Sequence, residues 1–302
     1  MTQDSVALDI GGTTTDISVF ADGVPLLEPS GVTINGRKTL IRGLYTKSIG
    51  VGGDSVVEVA KDGLTIGPKR EGPAAAFGGR TATPTDAMIV HGVAHIGDMQ
   101  KARDAIEKIA VKLAMSVEDA ARVIVEKTAS LIADQIRMTI AEVNNKPVYT
   151  IHELLEGKIV EPKMLYVAGG PAALAPFIAK NLGCPHSIPR HFEVSNALGV
   201  ALARTTAEVT ILADTEKGEL VISEEGLIRN IPRHFSLSDA IDTGKAVLRE
   251  KAVAMGARPE DLAIEVTESQ EFNMIRDFCT TGKNIRVKVQ IKPGLIASGA
   301  ER

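Results

Sequence analysis

The chain has 302 residues, 44% of them hydrophobic and 24% charged, with a formal net charge of −4 and a pI near 5.9. That length accommodates two domains of ~150 residues or one large one, and the acidic balance excludes the broad basic field that nucleic acid would need. Aromatics make up 3%, with no Trp and three Tyr, which argues against a stacking platform for single strands and against a large aromatic protein-binding face.

Val6 to Ile10 is a short apolar run that ends in a glycine-threonine turn, and Asp16 to Phe20 resumes apolar alternation. This reads as a β-hairpin with a glycine-rich first turn. Short strands fit Ser48 to Ile49, Ser55 to Ala60 and Leu64 to Ile66, with Asp62-Gly63 as a hairpin turn. Asp98 is placed to cap a helix reaching about Met115, with Ile106, Ile109, Ala110 and Leu113 on one face. Ser116 and Asp119 form a variant capping box for a second helix reaching about Val143. That helix would be roughly 40 Å long, with Ile124, Leu131, Ile132, Ile136, Ile140 and Val143 as its stripe. Asn144 to Pro147 stops it.

Met164 to Ala168 is a buried strand candidate, and Gly169-Gly170-Pro171 turns it into a helix with Pro171 first and an end near Leu182-Gly183. Ser195 is placed to cap a helix through about Thr205. Beyond a boundary near Ala207 comes a hairpin pattern, Val209 to Ala213 and Glu219 to Ser223. It is followed by a helix from Ser238 to Gly256 and strands near Ala263 to Val266 and Ile285 to Ile291. Cys184 and Cys279 are far apart, fit no CxxC motif, and read as buried or half-buried thiols. No apolar run approaches the ~20 residues of a membrane span, and the first ten residues carry neither a basic nor an apolar leader segment. A cytoplasmic location is expected, with no membrane and no nucleic acid as partner.

The sharpest chemical signal is Asp9-Ile-Gly-Gly-Thr-Thr-Thr-Asp16 between two strands. Glycines at 11 and 12 let backbone N–H groups approach a ligand, and successive N–H groups in a tight turn form an anion-binding concavity. Asp9 and Asp16 flank the turn, and carboxylates beside a phosphate cradle point to a Mg²⁺ ion between them. Alone, such a turn also fits a ligand-free hairpin. Val167-Ala-Gly-Gly-Pro-Ala172 follows a strand and opens a helix, so Gly169 and Gly170 offer backbone for a flat base or ribose, or simply a tight turn. Ser195 to Ala203 is a small-residue helix.

In this order the three segments resemble the actin-like ATPase superfamily. The resemblance implies that Asp9 and Gly11 to Thr14 face the β- and γ-phosphates and the metal, and that Gly169 and Gly170 face the adenosine. The finer resemblance is to the hydantoinase A/5-oxoprolinase family. Ser48-Ile-Gly-Val-Gly-Gly-Asp-Ser55 is similar to its IGxGGGS segment, with Asp54 in place of a glycine. Ile66-Gly-Pro68 and Gly72-Pro73 are similar to a shortened form of its VGPxSAGxxPGP stretch. Gly78 to Ala87, His95 to Met99, Phe272 to Met274 and Thr281 to Arg286 are similar to further segments of the shorter members.

The implied fold is α/β: an actin-like (ribonuclease H-like) lobe over 1–207, with a mixed sheet and flanking helices, and an α+β region over 208–302. The implied activity is ATP-dependent opening of a cyclic amide of hydantoin or 5-oxoproline type, through phosphorylation of the amide oxygen. Asp9 and Asp16 are the catalytic candidates, with Asp9 also the metal ligand. Gly11, Gly12, Thr13, Thr14, Gly169 and Gly170 would hold ATP. The segments match the family from its second phosphate motif onward, so a preceding lobe or second subunit is expected to complete the cleft. The alternatives are a nucleotide-binding assembly module without turnover, the ATPase component of a carboxylase-like complex, and a small-molecule kinase. His91 and His95 stand at i, i+4, but Gly92 and the lack of HExxH favour two unrelated histidines. Lys69-Arg70-Glu71 reads as a solvated turn rather than a phosphate contact. One of Asp54 and Asp86 is expected near substrate or metal.

Overall fold

The computed structural model describes residues 3–26, 33–34, 37–39, 43–61, 63–145 and 159–296. It divides into two compact units, Met1–Ser195 and Asn196–Arg302.

The first unit is built on a mixed sheet. β1 (Ser5–Ile10) runs antiparallel to β2 (Thr15–Ala21), which also pairs with β3 (Val24–Pro25) and, beyond the small pair β4 (Thr33–Ile34) and β5 (Arg37–Lys38), with β6 (Thr46–Ile49). On its other side β1 runs parallel to β9 (Met164–Ala168), which runs parallel to β10 (His186–Ser187). The order β10-β9-β1-β2-β3, with β2 the antiparallel member, makes the mixed sheet expected from the sequence. β1 takes its central place because Val6, Leu8 and Ile10 project to one face and are buried, as an alternating strand requires. The hairpin β7 (Val57–Ala60) and β8 (Gly63–Ile66) lies off this sheet. Asp62 of its turn is outside the described residues.

Helices cover the sheet. α1 (Pro84–Val90) packs on α2 (Met99–Leu113) and α3 (Val117–Asn144), and α3 packs on α4 (Ala175–Leu182). The expected caps are present. The Asp98 carboxylate accepts from the N–H groups of Gln100 and Lys101, and the Ser116 hydroxyl from Asp119, so the first-turn donors of α2 and α3 are satisfied. Along α3, Ile124, Ile132 and Ile136 are fully buried, worth about 2 kcal/mol each, while Leu131 and Ile140 pack half-buried against the same core. Pro171 does not open a helix: it precedes a 3₁₀ turn, Ala172–Leu174, and the α-helix starts at Ala175 with Pro176 in its first turn. A proline fits both places, so its position alone could not choose between them.

The second unit is an antiparallel sheet, β13-β12-β11-β15-β14, under one helix. After α5 (Ser195–Leu202) come β11 (Glu208–Asp214), β12 (Glu219–Ile222), β13 (Leu227–Asn230), α6 (Leu237–Ala254), β14 (Ile264–Arg276) and β15 (Cys279–Ile291). Ser195 is itself helical, and its hydroxyl donates to the His191 carbonyl rather than capping. Ala240, Val247 and Leu248 of α6 share a core with Val209, Ile211, Val287 and Val289. The helix is capped by Ser236, which forms a reciprocal capping box with Asp239. β14 and β15 are each 13 residues long, extending well beyond the apolar segments that signalled them. Their far halves are largely exposed, so no alternation marks them. The turn places Asp277 and Phe278 at φ 48° and 64°, and Cys279 beside it is exposed rather than buried. No helix among the described residues is long and apolar enough to cross a membrane.

Candidate functional site

The threonine turn joins β1 to β2. The Gly11 N–H donates to the Thr14 carbonyl at 2.9 Å and closes it. Asp9 and Asp16 face each other across the ladder, so both carboxylates emerge on one face of the sheet, Asp9 half-buried and Asp16 exposed. Like charges directly opposite repel. Asp16 Oδ1 is met by the Ser48 hydroxyl.

A second loop, residues 50–55, grips the turn from the side. The N–H groups of Gly53 and Asp54 donate to the carbonyls of Gly11 and Gly12, at 2.9 and 2.7 Å. The buried Thr15 hydroxyl donates to the Val51 carbonyl at 2.7 Å. The Ser55 hydroxyl accepts from the Gly52 N–H at 2.9 Å, bracing the loop internally. The carbonyls of Gly11, Gly12 and Thr14 are therefore committed to protein. Three of the turn's amides are not: among the described residues, the backbone N–H groups of Gly12, Thr13 and Thr14 donate no hydrogen bond. Three successive N–H groups without an acceptor among the described residues are of the kind that can receive an anion.

The second glycine turn abuts the first. β1 and β9 pair so that Asp9 stands beside Ala168, and Gly169 follows at once. Gly169 has φ 92°, and a β-carbon there would lie 2.2 Å from the Ile10 carbonyl oxygen and 2.8 Å from Asp9 Oδ1. Only a glycine fits. Gly170 is exposed, and a β-carbon on it would meet nothing within 4 Å. Of the predicted residues, Asp9, Asp16, the turn 11–14 and Gly169-Gly170 thus gather at one end of the sheet.

Arg70 also belongs here, which its charge-rich neighbourhood concealed. Lys69 pairs with Glu71 and Glu58 in solvent. Arg70 turns the other way: Nη1 donates to the Thr13 hydroxyl at 2.9 Å, Nη2 to Asp54 Oδ2 at 2.7 Å, and Nε to the Gly72 carbonyl at 3.2 Å. The two candidate aspartates separate. Asp54 lies at the turn, while Asp86 is buried inside a capping box with Thr83. Asp86 accepts from the N–H groups of Ala75, Ala76 and Thr83 and from the Thr83 hydroxyl. Burial raises its carboxyl above the usual range, and the donated bonds oppose that shift without cancelling it. His91 ends α1 and packs against Phe177, and His95 lies in the following loop, so the two do not share a helix. Among the described residues no group of three or more His, Cys, Asp or Glu side chains is placed to hold a metal. From the described residues, Asp9 and Asp16 could supply a cation with two carboxylates. That suits Mg²⁺, which typically takes one or two carboxylates and completes its shell with phosphates and water.

Fold and turns together define a mixed α/β lobe with its glycine-rich turns converging at one end of the central sheet. The chain belongs to the hydantoinase/oxoprolinase family, whose model matches residues 1–209. No curated protein matches the sequence. Among solved structures, the nucleotide-free structure of acetone carboxylase is similar over 98% of this chain, with TM-score 0.63 and 16% identity. This chain spans only 47% of that protein's length. Partial similarities reach the ethanolamine utilization protein EutJ from Carboxydothermus hydrogenoformans (TM-score 0.30, 17% identity, 66% of this chain and 48% of that one). They also reach MreB 5 of Spiroplasma citri bound to AMPPNP (TM-score 0.31, 13% identity, 67% and 52%).

Proposed function

We propose that this chain is the nucleotide-holding lobe of an ATP-dependent enzyme that opens a cyclic amide of hydantoin or 5-oxoproline type. The observation that carries this is the set of three amides at Gly12, Thr13 and Thr14 that donate to nothing among the described residues, on a turn whose Gly11 and Gly12 carbonyls are tied to the 50–55 loop. Such amides would receive the terminal phosphates of ATP. Asp9 and Asp16 would hold Mg²⁺, which would offset their mutual repulsion and the phosphate charge. Gly169 and Gly170 would lie against the adenosine.

A lactam is stabilised by resonance, so its hydrolysis gains from coupling to ATP. The amide oxygen would attack the γ-phosphorus as the bond to the bridging oxygen breaks and ADP leaves. Water would then add to the activated ring carbon. The adduct would expel the ring nitrogen with a proton, opening the ring to an acyl phosphate, and a second water would cleave that to carboxylate and phosphate. The residues of this chain would position and neutralise the transferring group, which is most of what such catalysis requires.

We further propose that a second lobe, in the same or another polypeptide, supplies the opposite wall. Membership of the family and the 47% span of the acetone carboxylase chain support this. The test is to titrate the 302-residue chain with Mg-ATP and to measure phosphate release with and without 5-oxoproline or hydantoin. Binding with little turnover is expected, and Asp9→Asn should remove the Mg²⁺ dependence of binding while leaving the melting curve in place. Absence of nucleotide binding would overturn the reading. Robust lactam-dependent turnover by this chain alone would overturn the two-lobe part of it.

A further inference from the structure

Two charged side chains from different loops meet in space: Asp54, in the 50–55 loop, and Arg70, between Pro68 and Gly72. Their side chains form an ion pair at 2.7 Å directly over the threonine turn, with the Asp54 side chain 18% exposed and that of Arg70 43% exposed. Asp54 rests against the backbone of Gly12, where any β-carbon would lie 2.5 Å from its Oδ2.

The guanidinium has five N–H donors in a rigid fork. Among the described residues three are used, on Thr13, Asp54 and Gly72. One N–H on each of Nη1 and Nη2 is left over, on a side chain that solvent reaches. The contact to Thr13 has a further effect. Its hydroxyl oxygen accepts from Arg70, so its own proton is free to be donated elsewhere. Donation into an oxygen polarises that hydroxyl and strengthens it as a donor.

We infer that Arg70 is a phosphate-recognition residue, contributed by this chain and held in place by Asp54, that reads the terminal phosphate of a bound nucleotide together with the Thr13 hydroxyl. This rests on the nucleotide reading of the turn proposed above. Asp54 is a positioning residue: it fixes the guanidinium and partly offsets its positive field, and a phosphate would compete for the same fork. A planar, two-pronged cation suits a phosphate better than an ammonium does. The Asp54–Arg70 pair therefore selects for nucleotides by their number of phosphates.

The experiment titrates the full chain with Mg-ATP, Mg-ADP and AMP, by ligand-observed NMR so that millimolar affinities are read. The variants are Arg70→Ala, Arg70→Lys, Asp54→Gly and the Asp54→Gly/Arg70→Ala pair, each with its melting temperature. Arg70→Ala should weaken ATP by about tenfold or more, the usual weight of a charge-assisted hydrogen bond, with AMP unchanged. Arg70→Lys should recover part of the loss. Asp54→Gly should weaken ATP less, and the double variant should bind like Arg70→Ala, because Asp54 acts through Arg70. If the parent chain binds ATP and Arg70→Ala loses ATP and AMP equally, or neither, the inference fails while the nucleotide reading stands. If the parent chain binds no nucleotide, both fall.

Discussion

Gly52 touches the threonine turn so closely that a β-carbon there would lie 2.6 Å from the carbonyl oxygen of Gly11. The same methyl would meet Gly12 backbone atoms at 2.7 Å. Neither neighbour is a side chain that can swing aside. Gly52→Ala should push the 50–55 loop off the turn and break the bonds from Gly53 and Asp54. We expect a loss of about 1–3 kcal/mol in unfolding free energy, read by urea titration, together with loss of Mg-ATP binding.

Gly170→Ala separates the site from the fold. Its β-carbon meets nothing within 4 Å, so stability should stay within about 0.5 kcal/mol of the parent. A methyl at that exposed position would nevertheless stand where adenosine is proposed to lie. The expected outcome is an unchanged melting temperature with weaker binding of ATP and AMP alike. Unchanged binding would remove Gly170 from the site.

Asp86 and Asp239 should respond to pH with opposite signs. Burial raises the Asp86 carboxyl above the 3.8 of an ordinary aspartate. Its contribution is therefore complete below that value and is lost as pH rises through the higher folded value. The Ser236 hydroxyl and N–H hold Asp239 below 3.8. Its contribution is present above 3.8 and is lost as pH falls through the lower folded value. Asp86→Ala should cost about 2 kcal/mol or more, since it strands three buried N–H groups, and the cost should be larger at pH 4 than at pH 7. The cost of Asp239→Ala should instead shrink below pH 4. Urea midpoints across that range test both.

In the helical layer, Ile132 is fully buried on α3. Ile132→Ala should destabilise the first unit by about 2–5 kcal/mol. Val111→Ala, at a position of α2 that is 75% exposed, should change little. Denaturant titration of the two variants compares them directly.

How much of this was legible depended on the range of the interaction. The long helix could be read end to end, because Ser116 marks its start, Asn144 its stop, and Ile124, Ile132 and Ile136 its face, all local signals. The turn between Asp9 and Asp16 was legible for the same reason. The 3₁₀ turn after Pro171 was not, because proline fits the start of either helix type. The parallel pairing of β1 with β9 was invisible, since each strand alone is a short apolar run and nothing in either states its partner. Arg70 was hidden more thoroughly. Between Lys69 and Glu71 it looked like part of a solvated charge run, and its partners stand 16 and 57 positions away. The signal that could have found it was the acidic residue at 54 in the glycine-rich 50–55 loop: a carboxylate beside a turn proposed to take an anion calls for a cation.

The register that sets Asp9 beside Ala168 acts as a ruler. It butts Gly169 against the last carbonyl of β1, so the span between the two glycine turns is dictated by backbone pairing in the middle of the sheet. Side chains at either end are free to drift without changing that span. The interval itself moves only if a whole strand slips, which would turn its buried residues outward. Such a scaffold can acquire new chemistry at its rim while keeping one gauge for whatever lies along it.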